Sequence, residues 1–114
     1  MRLETVRVLL ADLDGRPRRA LASLISGLER VTLAGEVGDP AELAAALLAT
    51  RADVLLIDDR LLRNRDGDLP TNLRVIVVGV DDDPAFSARA RRLGAEAWVA
   101  KDRAGDDLPA LLGS

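Results

Sequence analysis

The chain has 114 residues, of which 48% are hydrophobic, with a formal net charge of −3 and a sequence pI of about 4.9. This length suits one domain with a genuine core, so we expect residues 1–114 to form a single domain. The lack of cysteine and histidine excludes disulfides, thiol catalysis, Ser-His triads and ordinary zinc sites. The acidic balance and the dispersed arginines predict no direct binding of nucleic acid by this segment.

No apolar run approaches the roughly 18 residues that a membrane span needs. The N-terminus also lacks the small-residue cleavage site of a signal peptide. We therefore expect a cytoplasmic protein without membrane association. The sequence leaves open whether the chain is a stand-alone module or a piece trimmed from a longer protein with a DNA-binding output domain beyond residue 114.

Five short aliphatic runs alternate with segments of helical spacing. Such alternation predicts a parallel sheet with helices on both faces. The predicted strands are VRVLLA (6–11), VTLAGEV (31–37), DVLLID (53–58), RVIVVG (74–79) and AEAWVA (95–100). The second run alternates apolar and polar residues, which is typical of an edge strand, and Val31, Leu33 and Val37 are predicted to share one side.

Helix signals lie between the runs. Asp39-Pro40 and Asp83-Pro84 each predict an N-cap followed by the first helical residue, and Gly94 predicts a helix end. The predicted buried positions are Leu21, Leu24, Ile25 and Leu28 in the first helix, and Leu43, Leu47 and Leu48 in the second.

Charged residues follow several of the predicted strands. Asp12 and Asp14 follow the first, Asp58 and Asp59 end the third, and Lys101 follows the fifth. Because such sheets place their sites at the carboxyl ends of the strands, we expect these residues to gather at one edge. Two carboxylates there would supply ligands to a divalent cation, and the lysine would add a compact positive charge beside them.

Other acidic residues are predicted to have no catalytic or metal-binding role. Asp59 is predicted to be a loop acid with Arg60, Arg63 and Arg65 as exposed neighbours. Asp81 to Asp83 are predicted to form a solvated turn and a helix N-cap. Asp12 and Asp58 themselves have a structural interpretation as well, in which they pair with Lys101 as an acid–base cluster.

These segments resemble the receiver domains of two-component response regulators, particularly the NarL/LuxR type, over about residues 5–112. VRVLLAD matches the first strand and its acid, DVLLID ends on the phospho-accepting aspartate Asp58, and LGAEAWVAKD carries Lys101. The resemblance implies a flavodoxin-like, three-layer α/β sandwich whose five-stranded parallel sheet has the order 2-1-3-4-5. It also implies phosphoryl transfer from a histidine kinase to Asp58, with Mg²⁺ bound by Asp12, Asp58 and the backbone carbonyl of Arg60.

The chain departs from that family at the positions that surround the acceptor. Leu13 stands where the family has a second metal-binding acid, and Asp14 lies one residue further on. Gly79 stands at the position of the hydroxyl residue that senses the phosphoryl group, and its aromatic partner aligns with Trp98. We expect Trp98 to fill the surface between the fourth helix and the fifth strand. The connector after Asp58 is about two helical turns shorter than in the family, which predicts a shortened or missing third helix.

We therefore predict an atypical receiver, not an enzyme, that acts in signal transduction and transcription regulation through protein–protein interaction with little or no phosphorylation. A homodimer through helix four, strand five and helix five is expected. One alternative is an ordinary receiver phosphorylated at Asp58, with Asp14 completing the metal site. Another is a phosphatase, because VLLADLDG is similar to the haloacid-dehalogenase motif, with Asp12 as nucleophile and Asp14 as general acid/base. A third is a small-ligand cleft with Arg60 and Lys101 as its cationic groups.

Overall fold

Each of the five aliphatic runs forms a strand in the computed structural model, which describes residues 5–64, 69–70, 72–80 and 84–113. All neighbouring strands are parallel, and their order is β2-β1-β3-β4-β5, as predicted. The winding direction therefore reverses between β1 and β3, which is where such sheets place their sites. The strands are β1 (Val6–Ala11), β2 (Val31–Val37), β3 (Val54–Asp58), β4 (Arg74–Gly79) and β5 (Ala97–Ala100).

Within the described residues, five α-helices flank the sheet. They are α1 (Gly15–Ser26), α2 (Leu43–Thr50), α3 (Asp59–Arg63), α4 (Pro84–Arg92) and α5 (Ala104–Leu111). The third helix has only five residues, which confirms the predicted shortening. Asp39 accepts a hydrogen bond from the Ala41 N–H at 2.9 Å, so its capping role before α2 is confirmed. Asp81 to Asp83 lie outside the described residues. None of the helices in the described ranges has the length and hydropathy needed to cross a bilayer.

The core consists of two apolar layers, one on each face of the sheet. Alternate residues of β1 feed the two layers, because successive side chains of a strand point to opposite faces. Val8 and Leu10 lie in the layer under α1 and α5, and Leu9 lies in the layer under α2, α3 and α4. All five residues of β3 are buried, as expected for a central strand that is covered on both faces.

The predicted burial of Leu48 is wrong. Its side chain is 82% exposed, whereas Leu43 is buried and Leu47 packs against the α2 side of the core. Leu43 and Leu47 are four residues apart and share one face of α2. Leu48 is rotated by about 100° from Leu47, which turns it away from the sheet.

The predicted alternation of β2 is also wrong at one end, although β2 is at the edge as predicted. Pairing with β1 shifts between Leu33 and Gly35, so Ala34 is an extra residue in the strand. Val31 and Leu33 therefore pack on the α1 side of the sheet, while Val37 packs on the opposite side.

Candidate functional site

Two buried carboxylates meet one lysine at the carboxyl edge of the sheet. Asp12 follows β1 and is 0% exposed, and Asp58 ends β3 and is 1% exposed. The Nζ atom of Lys101, in the turn after β5, lies 2.8 Å from Asp12 Oδ2 and 3.7 Å from Asp58 Oδ1. The contact with Asp12 Oδ2 is an ion pair without hydrogen-bond alignment. The structure thus brings together three of the predicted site residues.

Arg60 completes this group from the start of α3. Its Nε and Nη2 atoms each lie 3.3 Å from Asp58 Oδ2, and its backbone N–H donates to Asp58 Oδ1 at 3.4 Å. Asp58 therefore caps α3 as well as ending β3. We call Asp12, Asp58, Arg60 and Lys101 the Asp58 cluster. Its two carboxylates face two cationic side chains, so its formal charge is balanced by the protein itself.

Burial raises the pKa of Asp58 above its ordinary value. The neighbouring charge of Asp12 acts in the same direction, whereas Lys101, Arg60 and the Arg60 N–H act in the opposite direction. The net shift is upward because desolvation of the charged form is the largest of these effects. Folding thus moves the ionisation of Asp58 to higher pH despite its two cationic neighbours.

Asp14 does not bring its carboxylate to the Asp58 cluster in this structure. Its side chain accepts a hydrogen bond from the Arg16 N–H at 3.2 Å and caps α1. Only its backbone reaches the site, since its N–H donates to Asp12 Oδ1 at 3.0 Å. The cause is local: the N-cap position of α1 falls on Asp14, and an aspartate at an N-cap satisfies the free N–H groups of the first turn.

The residues present fit Mg²⁺ poorly. Mg²⁺ prefers octahedral coordination by oxygen, with carboxylates among the ligands. The carbonyl of Arg60, a predicted ligand, already accepts hydrogen bonds from Asn64 N at 3.2 Å and Asn64 Nδ2 at 2.8 Å. Across the described part of the chain, no group of three or more acidic side chains is arranged to hold a metal ion. The two carboxylates of the site are paired with cationic side chains instead.

Gly79 and Trp98 lie in direct contact at the ends of β4 and β5. A Cβ atom added at Gly79 would overlap the six-membered ring of Trp98, so the indole occupies the space of a side chain at this position. The indole also stacks on Phe86 of α4, with ring centroids 5.3 Å apart and an angle of 16° between the planes. Trp98 thus fills the surface between α4 and β5, as the sequence predicted.

The cleft beside these aromatic rings is small. Arg60 lines it, together with Asp58 and Trp98, and its volume is about 160 Å³. Small-molecule sites typically measure ~300–1,000 Å³, so the cleft gives little support to a ligand site of ordinary size.

Asp59 was predicted to be a loop acid, and this prediction is wrong. It is the first residue of α3 and only 8% exposed. Its Oδ2 atom lies 3.0 Å from Arg63 Nε and accepts a hydrogen bond from Arg89 Nη2 at 2.8 Å. We call Asp59, Arg63 and Arg89 the Asp59 cluster. The spacing of four residues between Asp59 and Arg63 could have indicated the first contact, but nothing local in the sequence points to Arg89.

Comparison with known proteins finds solved structures that are similar to this chain, but no matching family model or curated protein. No protein-family model matches the chain, and no curated protein matches it. The signal receiver domain of NarL from Mycobacterium tuberculosis is 24% identical, with a TM-score of 0.75 over 95% of this chain and 93% of that one.

Two further structures agree with this similarity. The isolated receiver (REC) domain of RcsB from Salmonella enterica serovar Typhimurium, in its apo form, is 25% identical over 96% of this chain and 86% of that one, with a TM-score of 0.79. The response regulator domain of CheB from Thermotoga maritima is 20% identical over 96% and 95%, with a TM-score of 0.80.

The fold and the position of the acids define a doubly wound α/β domain with its site at the switch point between β1 and β3. Within that class, the chain has the fold of response-regulator receiver domains. The predicted fold and strand order are confirmed.

Proposed function

We propose that this chain is an atypical receiver domain, not an enzyme, whose output is protein–protein interaction with little or no phosphorylation at Asp58. The observation that carries the proposal is the contact between the Arg60 guanidinium and the Asp58 carboxylate. The Nε and Nη2 atoms of Arg60 each lie 3.3 Å from Asp58 Oδ2. In this role it acts in cytoplasmic two-component-type signalling and transcription regulation.

The chemistry of phosphoryl transfer supports this assignment. A carboxylate that accepts a phosphoryl group needs a divalent cation to stabilise charge on the phosphoryl oxygens. Arg60 supplies positive charge to Asp58 but cannot coordinate oxygen ligands as a metal ion does. Leu13 supplies no metal ligand, and the Asp14 carboxylate caps α1. The protein's own cations thus hold the acceptor in a closed, charge-balanced arrangement.

The access to Asp58 supports the same conclusion. Asp58 is only 1% exposed, which leaves a phosphoryl donor little room to reach its carboxylate. Histidine kinases therefore enter the proposal as binding partners rather than as efficient phosphoryl donors.

We also propose a homodimer through α4, β5 and α5, without direct nucleic-acid binding by this segment. Exposed arginines on α4, Arg91 and Arg92, lie on the same proposed surface as exposed Asp106 of α5. Such opposite charges complement each other when two copies pair with exchanged helices. Light scattering during size-exclusion chromatography measures the mass directly, and a monomer at all concentrations would contradict the dimer.

The central test is treatment of the protein with acetyl phosphate, or with beryllofluoride, in the presence of Mg²⁺. We expect no added phosphoryl mass by intact mass spectrometry and no change in oligomeric state. Asp58→Asn is the matched control, and it should behave as the unaltered chain does. Phosphorylation at Asp58 that changes the oligomeric state would overturn the proposal.

A gain-of-function variant tests whether a metal site can be restored at this edge of the sheet. Leu13→Asp combined with Arg60→Met adds a carboxylate and removes the cation that contacts Asp58. We expect Mg²⁺ to raise the melting temperature of this variant by at least ~2 °C, because a ligand that binds only the folded state stabilises it. The unaltered chain should show no such rise.

The alternative is a functional receiver phosphorylated at Asp58. It is favoured by one observation, that Lys101 Nζ lies 3.7 Å from Asp58 Oδ1 at the carboxyl edge. The acetyl phosphate experiment decides between the two. The phosphatase alternative has less support, since the Asp14 carboxylate caps α1 rather than facing Asp12.

A further inference from the structure

The outward side of α2 is apolar. Of the five α-helices in the described residues, α2 is the one without a charged residue, and its sequence is LAAALLAT. A surface helix normally turns an apolar stripe to the core and a polar side to water. Leu43 of α2 faces the core, but the opposite side is apolar too. We call this exposed side the α2 face; it consists of Ala44, Ala45, Leu48 and Ala49.

A cleft of about 370 Å³ lies beside the α2 face, between α2 and the start of β4. Its apolar wall is formed by Leu47, Ala52 and Leu73. Leu47 is next to Leu48, which is 82% exposed, so a protruding leucine and an apolar cleft lie on adjacent parts of one surface.

The charged groups that line this cleft already have partners in the same domain. The Asp53 carboxylate accepts a hydrogen bond from the Arg7 N–H at 2.9 Å, and Arg74 Nε donates to Glu96 at 2.7 Å. The apolar wall is therefore the part of the cleft that a binding partner would contact.

The two ends of α2 carry opposite charges. Glu42 precedes the helix, Arg51 follows it, and both are exposed. About 12 Å of helix separates them. When a second copy of the chain lies antiparallel to the first, each Glu42 comes beside an Arg51 of the other copy. In the same arrangement, the Leu48 of each copy lies beside the smaller Ala45 of the other.

We propose that the α2 face, its cleft and the charges at both helix ends bind the same surface of a second copy of this chain, with the two α2 helices antiparallel. A symmetric contact requires a patch that is complementary to itself. This surface meets that requirement, because it has both a protruding leucine and a cleft, and both an acidic and a basic end.

The contact is weak and separate from the surface of α4, β5 and α5. One short helix offers less than the ~1,200 Å² that stable interfaces bury, so we expect a Kd of ~0.1 mM. The α2 helix packs on β1 and β2, at the other end of the sheet from β5. The inference therefore goes beyond the proposed function, and either contact can form without the other.

Leu48→Glu tests the contact by sedimentation velocity from about 10 µM to about 1 mM. We expect association to weaken at least ~10-fold, because the variant places a charge against an apolar cleft. Leu48 is 82% exposed, so the core is unchanged. Ser23→Glu, at an exposed position of α1, adds the same charge and should leave association within about 2-fold. Equal association of Leu48→Glu and the unaltered chain would overturn the proposal, whether or not α4, β5 and α5 form a dimer.

A charge exchange tests the antiparallel orientation. Glu42→Arg alone and Arg51→Glu alone each place like charges at both ends of the pair, so we expect each variant to associate at least ~3-fold more weakly than the unaltered chain. A mixture of the two variants restores opposite charges at both ends and should recover the association. No recovery in the mixture would overturn the proposal.

Glu29→Arg mixed with Arg30→Glu is the matched control, because both positions are exposed and Arg30, like Arg51, has a positive φ. These variants change the net charge in the same way but lie away from the α2 face. We expect the control mixture to associate no more strongly than its separate components. A similar gain in both mixtures would overturn the proposal, since net charge alone would then explain the recovery.

Discussion

The Asp58 cluster and the Asp59 cluster contain adjacent aspartates. They differ in the charges around the carboxylate and in the free-energy cost of burying it. Asp58 shares its surroundings with a second buried carboxylate, Asp12, and burial raises its pKa. Asp59 contacts two arginines, Arg63 and Arg89, at 3.0 and 2.8 Å. The difference arises because α3 starts directly after β3, which directs the two side chains to different neighbours. Adjacent aspartates can therefore form a costly polar site and a structural tie between helices.

The largest effect is expected from removing the Asp59 charge. Asp59→Asn leaves Arg89 half-buried beside a neutral partner, and loss of a hydrogen bond to a charged group costs about 2 kcal/mol. We expect the free energy of unfolding to fall by about this amount in urea denaturation followed by circular dichroism. Asp102→Asn, at an exposed site, is the control and should change stability by less than about 0.5 kcal/mol. Equal effects of Asp59→Asn and Asp102→Asn would show that the Asp59 cluster contributes no more to stability than an exposed aspartate does.

A smaller effect of opposite sign is expected at Asp58. Because its pKa is raised in the folded chain, the folded state holds this proton more tightly than the unfolded state does. The stability from this group is complete below the unfolded pKa and is lost as the pH rises through the folded pKa. Asp58→Asn cannot lose a proton, so we expect it to be at least as stable as the unaltered chain at neutral pH.

The measurement for Asp58→Asn is urea denaturation at several pH values from about 4 to about 7. The unaltered chain should lose stability relative to Asp58→Asn as the pH rises across this range. If the unaltered chain instead gained stability over the variant, the cationic neighbours Lys101 and Arg60 would outweigh burial, and the contrast between the two clusters would be wrong.

The smallest effect is expected from Arg63, which sharpens the comparison within the Asp59 cluster. Its side chain is 49% exposed, and its pairing with Asp59 spans four residues on one helix. Exposed pairs of this kind contribute about 0.3–0.5 kcal/mol, so Arg63→Ala should cost no more than that. Arg89→Ala should cost several times as much. A larger loss for Arg63→Ala than for Arg89→Ala would show that the contact within α3, and not the tie to α4, stabilises the Asp59 cluster.

The sequence predicts the secondary structure and the fold of this molecule well, because strand and helix signals depend on neighbouring residues. The aliphatic runs, the cap at Asp39 and the missing turns after Asp58 all depend on neighbouring residues, and all are confirmed. The meeting of Asp12, Asp58 and Lys101 is also predictable, since the carboxyl ends of parallel strands share one edge.

What the sequence does not reveal depends on distant residues or on a small rotation. Arg89 is 30 residues away from Asp59, and no local pattern marks the pair. The exposure of Leu48 follows from the orientation of α2 on the sheet, which periodicity alone leaves uncertain between neighbouring leucines. The packing of the Trp98 ring on Gly79 is invisible as well, because a glycine carries no side chain to indicate what lies against it.

The extra residue Ala34 in β2 has a consequence for behaviour at high concentration. A strand at the border of a sheet offers unpaired backbone groups to other chains and so invites aggregation. The shift in pairing at Ala34 interrupts the regular spacing of that border, and at the opposite border β5 has only four residues. Both borders are thus poor templates for adding a strand, which protects the chain from edge-to-edge association when it is concentrated.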